Sequence, residues 1–416
     1  MASPSSIREF RFRVGTTFNT THANAANATH WGANATDVTK MRLVAFDDTG
    51  LVQDGLASEE LITRLYGRPA PYPGLRVGSM KFSAYLCGAE SNVDDSPEAT
   101  LLSKMMGGIQ APTNARSAVV GASNAMTSVN AALGSANTYC SAGMGVLVGV
   151  KGDGRGAGEV KIVSSVDSEA IQFTSVCSGT PIATDALVFS TTIYLDQTAT
   201  QNYFDTLAIG HATDDQRQTI GGAGTFGISG TGPGELPKID VDLTVADHQY
   251  APTGSRSSLA HGTDPDGNDP AHDRAIGMFQ LGDTDSTTRA VYAGGDFAVS
   301  PNVTVEGHPD LNGVNGIGGF QAMPGAPTLE ATLLMDEDTE GLVSDFEDRT
   351  DKSVVLQYGH TATKCAAVEM PLCHLTALPV PATINNLSGV KISLEAQDDY
   401  TSDGELQSSP LRIHLF

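Results

Sequence analysis

The sequence has few basic residues for its length. Its 416 residues include 24 Lys and Arg against 48 Asp and Glu, which gives a formal net charge of −24. A charge of this size keeps a protein soluble and repels the phosphates of nucleic acids from most of its surface. The composition therefore argues against a protein that reads a DNA or RNA sequence.

Long apolar runs are also absent. The chain has no stretch of about 18 apolar residues, which is the length that spans a bilayer as a helix. The N-terminus carries Arg8, Arg11 and Arg13 but lacks the apolar core of a secretory signal. We therefore expect no membrane partner.

Cysteines are sparse and form no metal-binding or redox motif. Their number is odd, no CxxC pair occurs and the spacing between them is wide. This pattern is typical of small buried side chains in a reducing cytoplasm rather than of a disulfide framework. The five positions are Cys87, Cys140, Cys177, Cys365 and Cys373.

An acidic loop offers weak candidates for metal ligands, namely Asp264, Asp266 and Asp269. An EF-hand loop requires oxygen ligands at positions 1, 3 and 5, Gly at position 6 and Glu at position 12. Here Gly267 follows Asp266 directly, and position 12 counted from Asp264 is Ala275. A solvated acidic turn explains the loop better, and such a turn would hold at most an adventitious cation.

Motifs that carry catalysis are missing as well. The chain has no GxSxG, HExxH or HxE…CxxC arrangement. The glycine-rich stretch 152–158 lacks the Lys-Ser/Thr of a phosphate loop, so a tight turn between strands explains it. A metal-dependent hydrolase using His261 and His272 with Asp264 and Asp266 ranks last, because no nucleophile accompanies them. We expect neither an enzyme nor a cofactor.

Apolar residues recur mainly with a period of two. Residues 238–245 alternate strictly, with Asp240 and Asp242 among the polar positions. Residues 80–86 and 390–395 repeat the pattern. Alternation of this kind is typical of antiparallel sheets packed on one side. The sequence therefore predicts a mainly β fold.

Two short segments break this period and predict helices. In residues 96–107, Ser96 is placed to cap the helix, Pro97 occupies its first position and Gly107 ends it. The second segment covers residues 338–348, where three apolar side chains share one stripe.

The order of strands and helices occurs twice, which predicts an internal duplication. In each half a Pro-Gly pair leads to a strand and then to one helix, and three further strands follow. The first half carries an additional segment, interpreted as a small β-barrel inserted at a surface loop. The predicted parts are an N-terminal arm (1–40), a first unit (41–111 and 187–255), the inserted barrel (112–186), a linking loop (256–290) and a second unit (291–416).

Several segments resemble the tail tube (major tail) proteins of long-tailed bacteriophages. The strand 77–86 and the capped helix 96–106 look like the early strand and helix of that family. Residues 234–242 are similar to the segment that ends the family's first half, and residues 326–334 resemble the corresponding strand of the second. The resemblance covers most of the chain, except the N-terminal arm and the inserted barrel.

The resemblance implies a duplicated tail-tube-type β-sandwich with one flanking short helix per half. Such sandwiches join into rings with a β-lined channel, and the stacked rings form a tube through which viral DNA passes without specific binding. Because this chain carries the unit twice, a ring of three copies with quasi-sixfold symmetry is preferred, and six copies stay an alternative. The implied partners are other copies, the tail terminator and the distal tail proteins, in a virion tail assembled in the host cytoplasm.

Four acidic side chains fall on the polar sides of predicted strands: Asp240, Asp242, Glu330 and Glu395. Acids in such positions are ordinary on a solvated face. If the sheet lines the channel of a ring, the same carboxylates would repel DNA and let it slide. They are therefore the candidates for lumen-facing residues.

Two alternative functions stay open. A secretion-system tube protein would share the same ring fold, and the sequence does not separate the two. A β-rich carbohydrate-binding or adhesin module is the second alternative. Clustered exposed aromatic residues would favour that module, yet aromatics make up only 6% of the chain.

Overall fold

Strands dominate the computed structural model and run antiparallel in the pairings that build its sheets. This architecture confirms the mainly β fold that the period-two pattern predicts. The residues that the structure describes are 7–16, 38–56, 72–88, 96–112, 117–120, 125–130, 139–149, 158–167, 170–178, 180–181, 185–196, 198–210, 216–231, 236–250, 277–314, 317–335, 337–361, 364–384, 386–398 and 405–416.

Twenty-seven strands and three helices follow one another along the described part of the chain. The first strands are β1 Ile7–Gly15, β2 Val38–Met41, β3 Ala45–Leu56, β4 Tyr72–Tyr85, β5 Gly107–Gln110, β6 Ser117–Val119, β7 Ser128–Asn130, β8 Gly145–Gly149 and β9 Gly158–Asp167. The next are β10 Ala170–Phe173, β11 Ala186–Phe189, β12 Thr191–Leu195, β13 Tyr203–Gly210, β14 Gln216–Thr231, β15 Lys238–Val245, β16 Asp247–Tyr250, β17 Gly277–Asp283 and β18 Ala290–Tyr292. The last are β19 Gly294–Ser300, β20 Thr304–Val314, β21 Ile317–Met323, β22 Thr328–Leu334, β23 Lys352–Tyr358, β24 Ala366–Leu375, β25 Val380–Ile384, β26 Leu387–Ala396 and β27 Arg412–Leu415. The helices are α1 Pro97–Met106, α2 Glu337–Asp348 and α3 Glu405–Ser408.

The first set of strands forms two connected sheets. One has the order β2–β1–β13–β14–β16, and the other has the order β3–β4–β15–β14. β14 belongs to both sheets, because its N-terminal half pairs with β13 and β16 and its C-terminal half pairs with β15. The apolar sides of the two sheets share one core, which includes Phe10, Phe12, Met80, Phe82, Val241 and Leu243.

The second set, which begins at β17, repeats these pairings in the same chain order. Its sheets have the orders β18–β17–β23–β24–β27 and β19–β22–β26–β25. β24 again belongs to both sheets, since residues 366–369 pair with β27 and residues 373–375 pair with β26. α1 follows β4 and α2 follows β22, so the helices also occupy equivalent places in the two sets.

One short pairing joins the two sets. The C-terminal end of β14 pairs with β19, from Ile228 opposite Val299 to Thr231 opposite Asp296. This contact creates a continuous antiparallel sheet in the order β3–β4–β15–β14–β19–β22–β26–β25, which we call the long sheet. Its outermost strands are β3 and β25.

α1 and α2 confirm the two predicted helices. Ser96 caps α1, since its Oγ accepts a hydrogen bond from the Ala99 amide at 3.4 Å, and Pro97 occupies the first turn. α1 ends where Gly107 adopts a φ of +93°, a conformation that glycine reaches without strain. Leu101 and its apolar neighbours on α1 are fully buried, which fixes the helix against the core.

The inserted segment forms a separate six-stranded sheet in the order β6–β11–β8–β9–β10–β7. A second apolar cluster lies within it, and Val129, Val146, Ile171 and Phe189 are fully buried there. Within the described residues no pairing joins the end strands β6 and β7. The sheet is therefore open in that part, and its closure into a barrel stays a prediction.

The inserted sheet is docked on the second set of strands. Val160 of β9 shares a buried apolar cluster with Val355 of β23 and with Phe416. Gln357 lies in this seam, where its Oε1 accepts from the Val160 amide at 2.9 Å and its Nε2 donates to the Gly158 carbonyl at 3.0 Å. Because Gln357 is buried, these bonds satisfy backbone groups that water does not reach.

Two segments differ from the sequence-based expectation. The predicted N-terminal arm contains β1, which pairs with β13 along its length and buries Phe10 and Phe12. Residues 256–276 of the predicted linking loop lie outside the described residues, and its remaining part contains β17, which pairs with β23, and the first residue of β18. In both segments charged residues or glycines interrupt the apolar positions, so the local composition hides the strands.

Replacing Gln357 with Ala removes the side-chain partner of the buried Val160 amide and leaves the Gly158 carbonyl with only the more distant His360 Nδ1, at 3.3 Å. A buried group left unsatisfied costs about 1–3 kcal/mol, so we expect Gln357→Ala to lower the unfolding free energy by about 2 kcal/mol or more. Chemical denaturation followed by circular dichroism measures this loss. Gln397→Ala is the control at an exposed position and should change stability by less than about 0.5 kcal/mol. Equal losses in the two variants would contradict a role for the seam.

Candidate functional site

The long sheet has one apolar face and one polar face. Along β15, Ile239 and Val241 are buried, whereas Asp240 is exposed and Asp242 is half-buried. The register extends this alternation across the sheet, because residues paired on neighbouring strands point to the same side. We call the solvent side the polar face. Its charged residues are Asp47, Lys81, Lys238, Asp240, Asp242, Asp296, Glu330, Lys391 and Glu395.

Two serines hold Asp240 in place on the polar face. Ser83 Oγ donates to Asp240 Oδ1 at 2.5 Å, and Ser229 Oγ donates to Asp240 Oδ2 at 2.8 Å. Ser83 lies on β4 and Ser229 lies on β14, the two strands that flank β15. The carboxylate is therefore oriented across three strands while it stays exposed to solvent.

Two lysines of the polar face pair with acids on neighbouring strands. Lys81 Nζ lies 2.5 Å from Asp242 Oδ2, and Lys391 Nζ lies 2.7 Å from Glu330 Oε2. The hydrogen bond to Asp242, and then its charge, raises the pKa of Lys81 above the usual value. Ion pairs as exposed as these contribute about 0–1 kcal/mol each, so they shape the charge pattern more than the stability.

Carboxylates outnumber lysines on the polar face, with six acids against three lysines. All four acidic positions singled out from the sequence belong to this set. Among the described residues, Asp240 and Glu395 have no Lys, Arg or His nitrogen within 4.0 Å. The field of the polar face is therefore negative, and a polyanion approaching it would meet net repulsion.

Exposed apolar side chains cluster around β25 at one end of the long sheet. Val380 and Leu387 are each 57% exposed, and Leu378, just before β25, is 51% exposed. In the described part of the chain, no strand pairs with the outer edge of β25 or of β3. Free edges invite pairing with another chain, and Pro381, which cannot donate a ladder hydrogen bond, restricts which strand fits at β25. Both edges are candidate contact surfaces.

The metal and hydrolase candidates from the sequence do not contribute to the polar face. Asp264, Asp266, Asp269, His261 and His272 lie outside the residues that the structure describes. Across the described ranges, no group of three or more His, Cys, Asp and Glu side chains is arranged to hold a metal ion. The helices in those ranges are all too short or too polar to cross a bilayer.

The structure contains a buried polar network between β12, β24 and β27 that sequence analysis missed. Glu369 Oε2 accepts from Arg412 Nη1 at 3.0 Å and lies 3.2 Å from His414 Nε2. His414 Nδ1 lies 3.0 Å from Thr192 Oγ1, which is 2.8 Å from Ser190 Oγ. Ser190, Thr192 and His414 are fully buried, so this network is part of the core.

Burial and pairing shift the pKa values of Glu369 and His414 in this network in opposite directions. Burial by itself would raise the pKa of Glu369, but Arg412 and His414 outweigh it and lower that pKa to about 2. For His414, burial outweighs the hydrogen bond to Glu369 and lowers the pKa, which favours a neutral imidazole near pH 7. The core thus contains one ion pair and a neutral histidine, which strand pairing brings together from distant parts of the sequence.

Two comparisons of the sequence with known proteins find no match. A scan against protein-family models finds no match, and a search of curated proteins finds no similar sequence. The function must therefore be inferred from the residues of this chain and their geometry.

The buried polar network makes the stability of the protein depend on pH. Unfolded His414 takes up a proton near its usual pKa of 6.5, whereas the folded protein resists protonation, so stability falls as the pH drops through about 6.5. Glu369 adds a second loss as the pH falls from about 4.5 towards its folded pKa of about 2. We expect the melting temperature of the wild type to fall more steeply than that of His414→Gln between about pH 7.5 and pH 5.5. Parallel curves for the two proteins would contradict this origin of the pH dependence.

Proposed function

We propose that the chain is a structural subunit of a bacteriophage tail tube. In this proposal it is a duplicated tail-tube-type sandwich whose copies close into rings, and the stacked rings form a passive channel for DNA ejection. The observation that carries the proposal is the long sheet, in which two sets of strands with the same pairing order lie side by side. A sheet with a core on one face and an exposed, charged second face is suited to line a channel.

Closure of the proposed ring would repeat a contact that already exists inside the chain. Within the long sheet, β14 is the last strand of the first set and β19 is the first strand of the second set. At the two ends of the sheet, β25 is the last strand of the second set and β3 is the first strand of the first set. Pairing β25 of one copy with β3 of the next would extend the sheet in the same manner as β14 and β19. Because each chain supplies two sets, three copies would give six quasi-equivalent positions.

The polar face would line the bore of this ring. Its excess of carboxylates would repel the phosphates of the duplex, so DNA would pass without a specific binding site. The inserted sheet packs on the side of β23 that carries Val355, whereas Val354 and Leu356 point into the main core. This docking supports an outer location for the inserted sheet. Other partners in this proposal are the tail terminator and distal tail proteins of a virion assembled in the host cytoplasm.

Purified protein should form rings or tubes that negative-stain electron microscopy detects. Val380→Lys places a charge among the exposed apolar side chains around β25, so we expect it to shift the protein to monomers at concentrations where the wild type assembles. Val291→Lys is the matched control, because Val291 is 54% exposed on β18, away from both edges of the long sheet. Persistent monomers of the wild type at high concentration would contradict the ring. Equal effects of the two substitutions would contradict the role of the β25 edge.

Reversing charges on the polar face should turn a repelling surface into a binding one. Asp240→Lys combined with Glu395→Lys replaces two negative charges by two positive ones, so assembled tubes should bind a short duplex at low salt, and added salt should release it. Fluorescence anisotropy of a labelled duplex measures the binding. The control is Glu347→Lys with Asp348→Lys, which makes the same charge change at the exposed end of α2. If the control binds the duplex as tightly as the first variant, the change in net charge explains the binding and the position on the polar face does not.

A further inference from the structure

A cavity lined by hydroxyl groups lies in the seam between the inserted sheet and the second set of strands. Its volume is about 240 Å³, and it opens to solvent. The inserted sheet and the segment after it supply Ser164 and Thr174, the β17–β18 turn supplies Thr284 and Ser286, and β23 supplies Ser353. The Ser286 hydroxyl already donates to the Thr288 carbonyl at 3.2 Å. The hydroxyls of Ser164, Thr284 and Ser353 remain to offer donors from different walls of the cavity.

Arg289 lines this cavity without a carboxylate partner. Its Nη2 donates to Thr174 Oγ1 at 3.3 Å, but its buried Nε has no hydrogen-bond partner. In the part of the chain that the structure describes, no Asp or Glu oxygen lies within 4.0 Å of its guanidinium nitrogens. An arginine keeps its charge in a protein, and a buried donor without a partner costs free energy. A negatively charged acceptor would both satisfy this donor and offset the charge of Arg289.

The carboxylate on the cavity wall does not supply that partner. Glu369 is already bound by Arg412 Nη1 at 3.0 Å. The other nitrogens of Arg412 donate to the carbonyls of Leu406 and Gln407, which fixes its guanidinium in the wall. The charge of Glu369 also acts on Arg289 at longer range, without an ion pair between them. Two guanidinium groups therefore share one carboxylate, which leaves one positive charge in excess at this cavity.

We propose that this cavity binds one small tetrahedral oxyanion of the phosphate or sulfate class. Arg289 is the charged ligand, and the hydroxyls of Thr174 and Ser353 approach from the inserted side and from β23. A bound anion would bridge the inserted sheet to the second set of strands. It would stabilise the docked arrangement by mass action, because both walls are needed to form the site. This inference does not depend on the proposed tube function.

Titration of inorganic phosphate into the full-length protein tests the site. We expect the melting temperature of the wild type to rise with phosphate concentration, and isothermal titration calorimetry to give one site per chain. Sodium chloride at matched ionic strength separates binding from screening and should give no such rise. Sulfate in place of phosphate should reproduce the rise, because both ions are tetrahedral oxyanions.

Arg289→Gln removes the charged ligand and should weaken phosphate binding at least tenfold. Arg349→Gln, at an exposed position after α2, removes the same charge elsewhere and should leave the affinity unchanged. Arg289→Lys keeps the charge but loses the planar donor fork, so it should bind phosphate several-fold more weakly than the wild type. This variant replaces Arg289→Gln in the test if Arg289→Gln fails to fold. A melting temperature of the wild type that does not change with phosphate concentration would overturn the proposal. Equal phosphate affinities of the Arg289 variants and Arg349→Gln would overturn it as well.

Discussion

The four residue pairs between β14 and β19 are the contact on which the long sheet depends. Strand edges carry backbone donors and acceptors that must find partners when they are buried, so the two edges satisfy each other. On the core side, Ile228 and Val299 add apolar contact to the same junction. β3 and β25 present the remaining edges of the sheet. The edge pairing that makes the long sheet continuous is therefore the same kind of contact by which the proposed ring would close.

The polar face gains its character from the same strand register. Serines from both flanking strands hold the Asp240 carboxylate, so its charge has a fixed position on the polar face of the long sheet. The two ion pairs lie at equivalent strands of the two sets but with reversed polarity, since the lysine lies on β4 in the first set and on β26 in the second. The positive charges are thus interspersed along the face, and the negative excess extends over both sets.

Local signals in the sequence were sufficient for part of this fold. Alternation identified β15 and its exposed acids, the cap at Ser96 identified α1, and all five cysteines are buried, as their spacing predicts. β1 was missed because residues 1–40 are polar and show no regular apolar period, whereas the ion pair of Arg11 with Glu9 at 2.6 Å lets the strand be buried. The Glu369–Arg412 pair was missed for another reason. It exists only once β24 and β27 are paired, and no local pattern encodes that pairing.

The inserted segment has a consequence for symmetry. β5 and β12, which flank it, belong to the first set in chain order but extend a sheet of the second, because β12 pairs with β27 and β5 pairs with β12. The counterpart of β27 in the first set is β16, and in the described part of the chain β16 pairs with β14 alone. In the proposed ring, contacts within a chain would therefore be reinforced by β5, β12 and the docked inserted sheet, whereas contacts between chains would rely on β25 and β3. Such alternation would lower the symmetry of the proposed ring from sixfold to threefold, and it would make the edges of the long sheet the contact that sets the strength of assembly.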